Sequence, residues 1–247
     1  MYVSFNDLRH TSLMNGETDL GGLSDLYLDE RTWRTDYVVI DTGGWFSSHA
    51  VLIAPDRITA VEPENRLMTT ALTRADLEAA PAASTQKTVG EVIGSEWLVA
   101  AGQPFYAAAG YMAVLPPAIP RKPAQPAGAH DPDAVVDGEH IHLRSAREIL
   151  GYGIEASDGA IGTVADLILD PGNFRVALIA IDTGNWLPGR VVVLDPKWAS
   201  SVSWNDRAVR FAKIREEIED APALDDLSGL ERGFEAELYR YYGYPRM

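Results

Sequence analysis

The chain carries one sequence twice. Asp41 and Asp182 stand 141 positions apart (182 − 41), and at that shift residues 21–81 align with 162–222 without a gap. About 20 of the roughly 61 aligned pairs are identical, which marks an internal duplication. Asp25-Leu26 meets Asp166-Leu167, Leu28-Asp29 meets Leu169-Asp170, and Arg34 meets Arg175. Ile40 to Gly43 meets Ile181 to Gly184, Trp45 meets Trp186, Pro55 meets Pro196, Arg74 meets Arg215, and Pro81 meets Pro222. Stacked solenoid repeats run to about 20–50 residues, so each copy here is expected to be a domain of its own.

Each copy reads as short strands. Gly22 to Leu28 and Gly162 to Leu169 alternate apolar and polar residues. Turns follow at Asp29-Glu30-Arg31-Thr32 and at Asp170-Pro171-Gly172-Asn173, where the Pro-Gly-Asn chemistry is a strong signal. Apolar runs then come at Tyr37–Ile40 and Leu178–Ile181, and at Ala50–Ala54 and Val191–Leu194. Further strands are expected at Ile58–Val61, Leu67–Leu72, Ser200–Trp204 and Ala208–Ala212. Short helices, Arg74–Ala80 and Arg215–Asp220, each precede a proline. Upstream of the second copy, Ser145–Gly151 and Gly153–Gly162 form a further strand-turn unit, with Asp158-Gly159 as its hairpin turn. Asn15-Gly16 is the weaker match in the first copy. Five or six short strands at this spacing predict a small closed barrel, which leaves no exposed edge. The fold class is all-β, with two small barrels in tandem. The expected division is residues 1–82, a connector over 83–135, and 136–247 with a C-terminal helix over Leu230–Tyr242.

The connector is unusual. Trp97 to Pro120 holds no charged residue, yet Gln103-Pro104, Gly110 and Pro116-Pro117 break it. A membrane helix needs about 18 or more uninterrupted apolar residues, so the segment reads as an apolar insertion that packs on a barrel or a partner. Residues 116–128 are proline-rich and read as a stiff, extended linker. The first ten residues have neither the basic nor the apolar region of a signal peptide. There is no cysteine, which excludes disulfides, thiolate metal sites and a cysteine nucleophile and suits a reducing compartment. A formal charge of −15 disfavours nucleic acid as a partner and favours basic protein surfaces.

Asp41 and Asp182 each open an Asp-Thr-Gly at the end of an apolar strand. Doubled Asp-Thr-Gly is the signature of a two-lobed aspartic protease, whose carboxylates share one proton. The competing reading is a hairpin: the carboxylate accepts backbone N–H bonds in the turn, and Gly43 or Gly184 supplies positive φ. Gly44 and Asn185 stand where such proteases carry Ser or Ala, and only the first copy has a candidate supporting loop, Val92-Ile93-Gly94. The hairpin reading is preferred. The recurrent acids Asp25, Asp29, Asp41, Asp166, Asp170 and Asp182 lack the dense alternation of a calcium loop and read as turn caps or partners of Arg34 and Arg175. His140-x-His142 puts two imidazoles on one strand face near His130, Asp131 and Asp133. These read as exposed linker residues rather than metal ligands. His10 and His49 are isolated, and no Gly-x-Ser-x-Gly elbow is present. Trp45 and Trp186 sit in matching turns, where a tryptophan either closes a barrel end or anchors a partner. Trp198 and Trp204 have no tryptophan counterparts in the first copy. The terminal helix sets Leu230, Phe234 and Leu238 on one stripe, with Tyr241 beside it.

Together these residues resemble the PRC-barrel, named for the cytoplasmic part of the photosynthetic reaction centre H subunit. The resemblance rests on Gly162, Asp166-Leu167, Leu169-Asp170, Phe174-Arg175, Asp182 to Gly184, Trp186 and Pro196. In the first copy it rests on Asp25-Leu26, Leu28-Asp29, Trp33-Arg34, Asp41 to Gly43, Trp45 and Pro55. Glu148 to Gly162 is similar to the family's opening hairpin, and Glu237 to Pro245 is similar to the tail of tandem bacterial members. The family includes the C-terminal domain of a ribosome-maturation factor, in which the barrel binds protein. The resemblance implies no catalytic activity and no cofactor. It implies a binding or scaffold protein of the bacterial cytoplasm whose partner is a protein, with Trp45, Trp186, Asp41 and Asp182 as candidate contact residues. Self-association and peripheral contact with a membrane complex are compatible with it. The first alternative is an accessory of photosynthetic membrane complexes, although the chain lacks the H subunit's N-terminal membrane helix and residues 82–120 have no counterpart there. The second is a hydrolase using Asp41 and Asp182.

Overall fold

A computed structural model describes residues 2–43, 50–86, 88, 135–136, 139–140, 142–184, 191–222 and 232–243. Its first half runs β1 (Val3–Ser4), α1 (Phe5–Leu8), β2 (Ser12–Asn15), β3 (Thr18–Asp29), β4 (Arg34–Asp41), β5 (Ala50–Ile53), β6 (Ile58–Glu62), β7 (Leu67–Thr70) and α2 (Arg74–Ala79). A small ladder, β8 (Val135–Val136) with β9 (Glu139–His140), precedes the second half. That half runs β10 (Leu143–Ser145), α3 (Ala146–Ile149), β11 (Gly153–Ala156), β12 (Gly159–Asp170), β13 (Arg175–Asp182), β14 (Val192–Leu194), β15 (Ala199–Ser203), β16 (Ala208–Phe211) and α4 (Arg215–Glu219). Helix α5 (Arg232–Tyr241) follows. Among the described helices none is long and apolar enough to cross a membrane. The segment 97–120 lies outside the described residues.

The molecule is mainly β, as expected, and the strands fall where the alternation placed them, within a few residues. Strands β3 and β12 carry the architecture. Each is 12 residues long and pairs first with the strand before it and then with the strand after it. Its register shifts at matching places, Leu23/Asp25 and Tyr27/Leu28 in one, Val164/Asp166 and Ile168/Leu169 in the other. Such irregularities raise local twist and let one long strand curl through a small sheet. At the next turn Asp29 accepts N–H bonds from Arg31 (2.9 Å) and Thr32 (3.0 Å), and Asp170 accepts one from Gly172 (2.9 Å). Asp29 ion-pairs with Arg31 rather than with the expected Arg34.

Two expectations give way. Ser145–Gly151 is not a strand-turn unit throughout. Its Ala146–Ile149 portion is a helical turn, since Ser145 accepts the Glu148 N–H at 3.1 Å while Ala146 and Ile149 are buried. The structural correspondence also reaches upstream of the aligned block, pairing α1 with α3 at the same 141-residue shift. The second concerns separateness. Fourteen strands form a single sheet. Strand β1 pairs with β12 of the second half, and β10 pairs with β3 of the first. Each half lends its opening strand and helix to the other.

The two aromatic turns meet at the centre. Trp33 and Phe174 hold positive φ (57° and 52°) and are buried. The Val176 N–H donates to the Trp33 carbonyl (3.0 Å), and the Thr35 hydroxyl donates to the Phe174 carbonyl (2.5 Å). One continuous apolar cluster therefore holds Leu26, Val38 and Ile40 together with Leu167, Ile179 and Ile181. Tyr27, Val39 and Leu52 form a satellite on the opposite face of the first half, packed against Leu143. Within each half the strands follow one hydrogen-bonded path, and no pairing of β6 with β5 or of β15 with β14 closes it among the described residues.

Candidate functional site

The Asp-Thr-Gly turns have the predicted local chemistry. Asp41 and Asp182 each accept the N–H of the glycine two residues on, Gly43 and Gly184, at 2.8 Å. Those glycines have φ of 66° and 58°. Each aspartate thus builds its own turn. The two turns do not meet. Strands β4 and β13 are antiparallel and touch at Arg34–Arg175, where both begin. Asp41 lies seven residues beyond that point in one direction, and Asp182 seven in the other. At about 3.3 Å per residue of strand, that carries the carboxylates to opposite ends of the sheet. Proton sharing needs a contact of about 3 Å, so this pair is not a catalytic dyad.

The acids that do reach across the molecule are Asp25 and Asp166. Asp25 accepts bonds from the Ser145 hydroxyl (2.5 Å), the Arg147 N–H (3.0 Å) and its neighbour Leu26 N–H (2.8 Å). Asp166 accepts from the Ser4 hydroxyl, the Asn6 N–H (3.1 Å) and the Leu167 N–H (2.8 Å). Each carboxylate therefore clasps the first turn of the short helix supplied by the other half, and the serine of that helix also caps it. Burial pushes both carboxyls above the usual aspartate value, against the downward pull of the serine and backbone donors. The duplicated Asp-Leu in the sequence marks this clasp, but nothing linear shows that its partner lies in the other copy.

The exchange also builds a cleft. Arg9, at the end of α1, Arg74, at the start of α2, and Arg147, in α3, line a space of about 680 Å³ beside Asp19 and Asp41. Gly21, Gly22, Leu23 and Ser24 of β3 and Thr42 and Gly43 of the turn complete it, with Ser12. The strands close tightly here: a Cβ on Gly21 would lie 2.2 Å from the Asp41 carbonyl oxygen. Asp19 is held by the Gly21 N–H at 2.9 Å. Of this group only Asp41 was legible as a site residue. Arg147 arrives from 106 residues away (147 − 41), through the helix exchange.

Other candidates resolve differently. His142 lies 3.8 Å from Glu30, which ion-pairs with Arg144. Among the described residues no three acidic or histidine side chains gather to hold a metal. His130, Asp131, Asp133 and His49 lie outside the described residues, as do the two candidate anchors Trp45 and Trp186. Trp198 is buried and stacks edge-on with Tyr239 and tilted against Tyr242. Helix α5 turns the expected stripe inward: Leu238 is buried and Phe234 packs on the core, joined by buried Tyr239 and Tyr242, while Tyr241 is exposed. Asp195, itself buried, accepts the Tyr239 hydroxyl and the Lys197 N–H, which ties this face of α5 to the second half.

No curated protein matches the chain. Residues 1–75 match the family model of the PRC-barrel domain, a stretch that runs from β1 into the first turn of α2. Over residues 1–75 the chain is thus similar to the PRC-barrel domain.

Proposed function

We propose that the chain is a non-enzymatic protein-binding scaffold in which the second half is a second PRC-type barrel. The carrying observation is what its recurrent acids do. Asp41 and Asp182 build turns, and Asp25 and Asp166 clasp the exchanged helices. Side chains engaged in this way hold a frame rather than wait for a substrate. Element lengths and the positive-φ aromatics Trp33 and Phe174, all related by the 141-residue shift, support the second barrel. A cysteine-free, acidic chain suits the cytoplasm.

The test is copurification of the full chain from native extract. The expected result is a stoichiometric protein partner that is lost when Trp45 and Trp186 are changed together to alanine with circular dichroism unchanged. Purified chain that cleaves peptides, with the activity abolished in Asp41→Ala, would replace this reading with the hydrolase.

A further inference from the structure

Three arginines line one cleft of a chain whose net charge is −15. Outside the cleft, Arg31 pairs with Asp29, Arg144 with Glu30, and Arg210 with Glu155 and Asp206. In the cleft, Arg9 and Arg147 form no ion pair with any described residue, although Asp19 and Asp41 line the same space. Those two carboxylates are instead occupied by backbone N–H groups of their own turns.

The cleft is also specific to one half. At the 141-residue shift Arg9 becomes Leu150, Asp19 becomes Ala160 and Ser24 becomes Ala165, while Arg147 corresponds to Asn6. Of the five charged lining residues only Asp41 and Arg74 keep their types, as Asp182 and Arg215. Turn-building needs just the Asp-Thr-Gly, which both halves have. The additional charges of the first half are therefore not required by the fold.

We infer that this cleft is a docking site for an acidic peptide segment of a protein partner; the inference rests on the scaffold reading above. A guanidinium fork matches a carboxylate in plane and can bind it through two hydrogen bonds. A concave setting lined by like charges strengthens that attraction locally even where the distant surface is acidic. The presence of Asp19 and Asp41 selects further. A compact inorganic anion would sit against both carboxylates. A peptide brings its side-chain carboxylate to the arginines and its own backbone N–H donors to the aspartates, satisfying both signs.

The experiment uses the full chain and two displayed decapeptide libraries, one with a fixed central glutamate and one with a fixed central glutamine. Only the glutamate library should enrich. The selected peptides should shift the amide resonances of Gly21, Gly22 and Gly43 and bind at least tenfold more weakly to Arg9→Gln/Arg147→Gln. Arg215→Gln, at the second-half equivalent of Arg74, should leave binding unchanged. Equal enrichment of both libraries, full binding to the double variant, or the same amide shifts from inorganic phosphate at equal concentration would each overturn the inference. The copurification test separates the two readings. A partner retained by Arg9→Gln/Arg147→Gln sinks the cleft and leaves the scaffold, whereas no partner on the unmodified chain sinks the scaffold itself.

Discussion

At the scale of single residues, backbone proximity and buried charge decide most. Gly162 illustrates the first: a Cβ there would lie 2.0 Å from the Asp182 carbonyl oxygen, inside any tolerable contact. Gly162→Ala must push β12 away from the end of β13 and should destabilise by roughly 1–3 kcal/mol, read as a lower urea midpoint at unchanged slope. Asp25 and Asp166 illustrate the second. Their folded-state pKa values lie above the ordinary 3.8 because burial penalises the charge. The stability they contribute is full below that ordinary value and is lost as pH rises through the raised folded value. In Asp25→Asn/Asp166→Asn this pH dependence disappears. The stability difference between the native chain and the variant should therefore move in the variant's favour between about pH 4 and neutrality. A difference that stays flat over that window would show that the clasps carry no titration.

At the scale of elements, the exchanged helices are too short to stand alone. Helices α1 and α3 have four residues each, far below the length at which an isolated helix forms. They persist because a serine caps each one and an aspartate of the other half holds that serine. Ser145→Ala removes both bonds and should cost about 1–2 kcal/mol. In a double-mutant cycle with Asp25→Asn the two losses should be less than additive, because both changes break the same bond. Helix α5 offers a paired test. Tyr239→Phe deprives buried Asp195 of a hydroxyl donor and should cost roughly 1.5–3 kcal/mol. Tyr241→Phe, on the exposed side with its hydroxyl on the Glu217 carbonyl, should be near neutral by the same denaturation assay.

At the scale of the whole molecule, the halves share a sheet and a core, so neither should melt by itself. Leu26 is fully buried in the cluster that also contains Leu167 and Val176. Leu26→Ala should cost about 2–5 kcal/mol and lower one common transition. Near-ultraviolet circular dichroism, dominated by aromatic residues of both halves such as Trp33 and Trp198, should then change in step with far-ultraviolet ellipticity. Two separated transitions would contradict the shared core.

The sequence by itself determined the local chemistry. Alternation placed β3, β4 and their counterparts, Pro171-Gly172-Asn173 placed a turn, and Asp-Thr-Gly built the same hairpin twice. These are short-range matters of dihedral preference and neighbouring hydrogen bonds, which a strand carries wherever it lies. The 141-residue repeat further announced that there would be two of everything. Which copy of α1 or α3 sits on which copy of β3 or β12 was left undetermined, because the two copies present the same Asp-Leu to the same kind of serine-capped turn. Only the tertiary structure decided for exchange. Together with the β4–β13 contact, which sends Asp41 and Asp182 to opposite ends, the exchange joins the halves into one sheet, and it brings Arg147 alongside Arg9 in a cleft that no stretch of sequence displays.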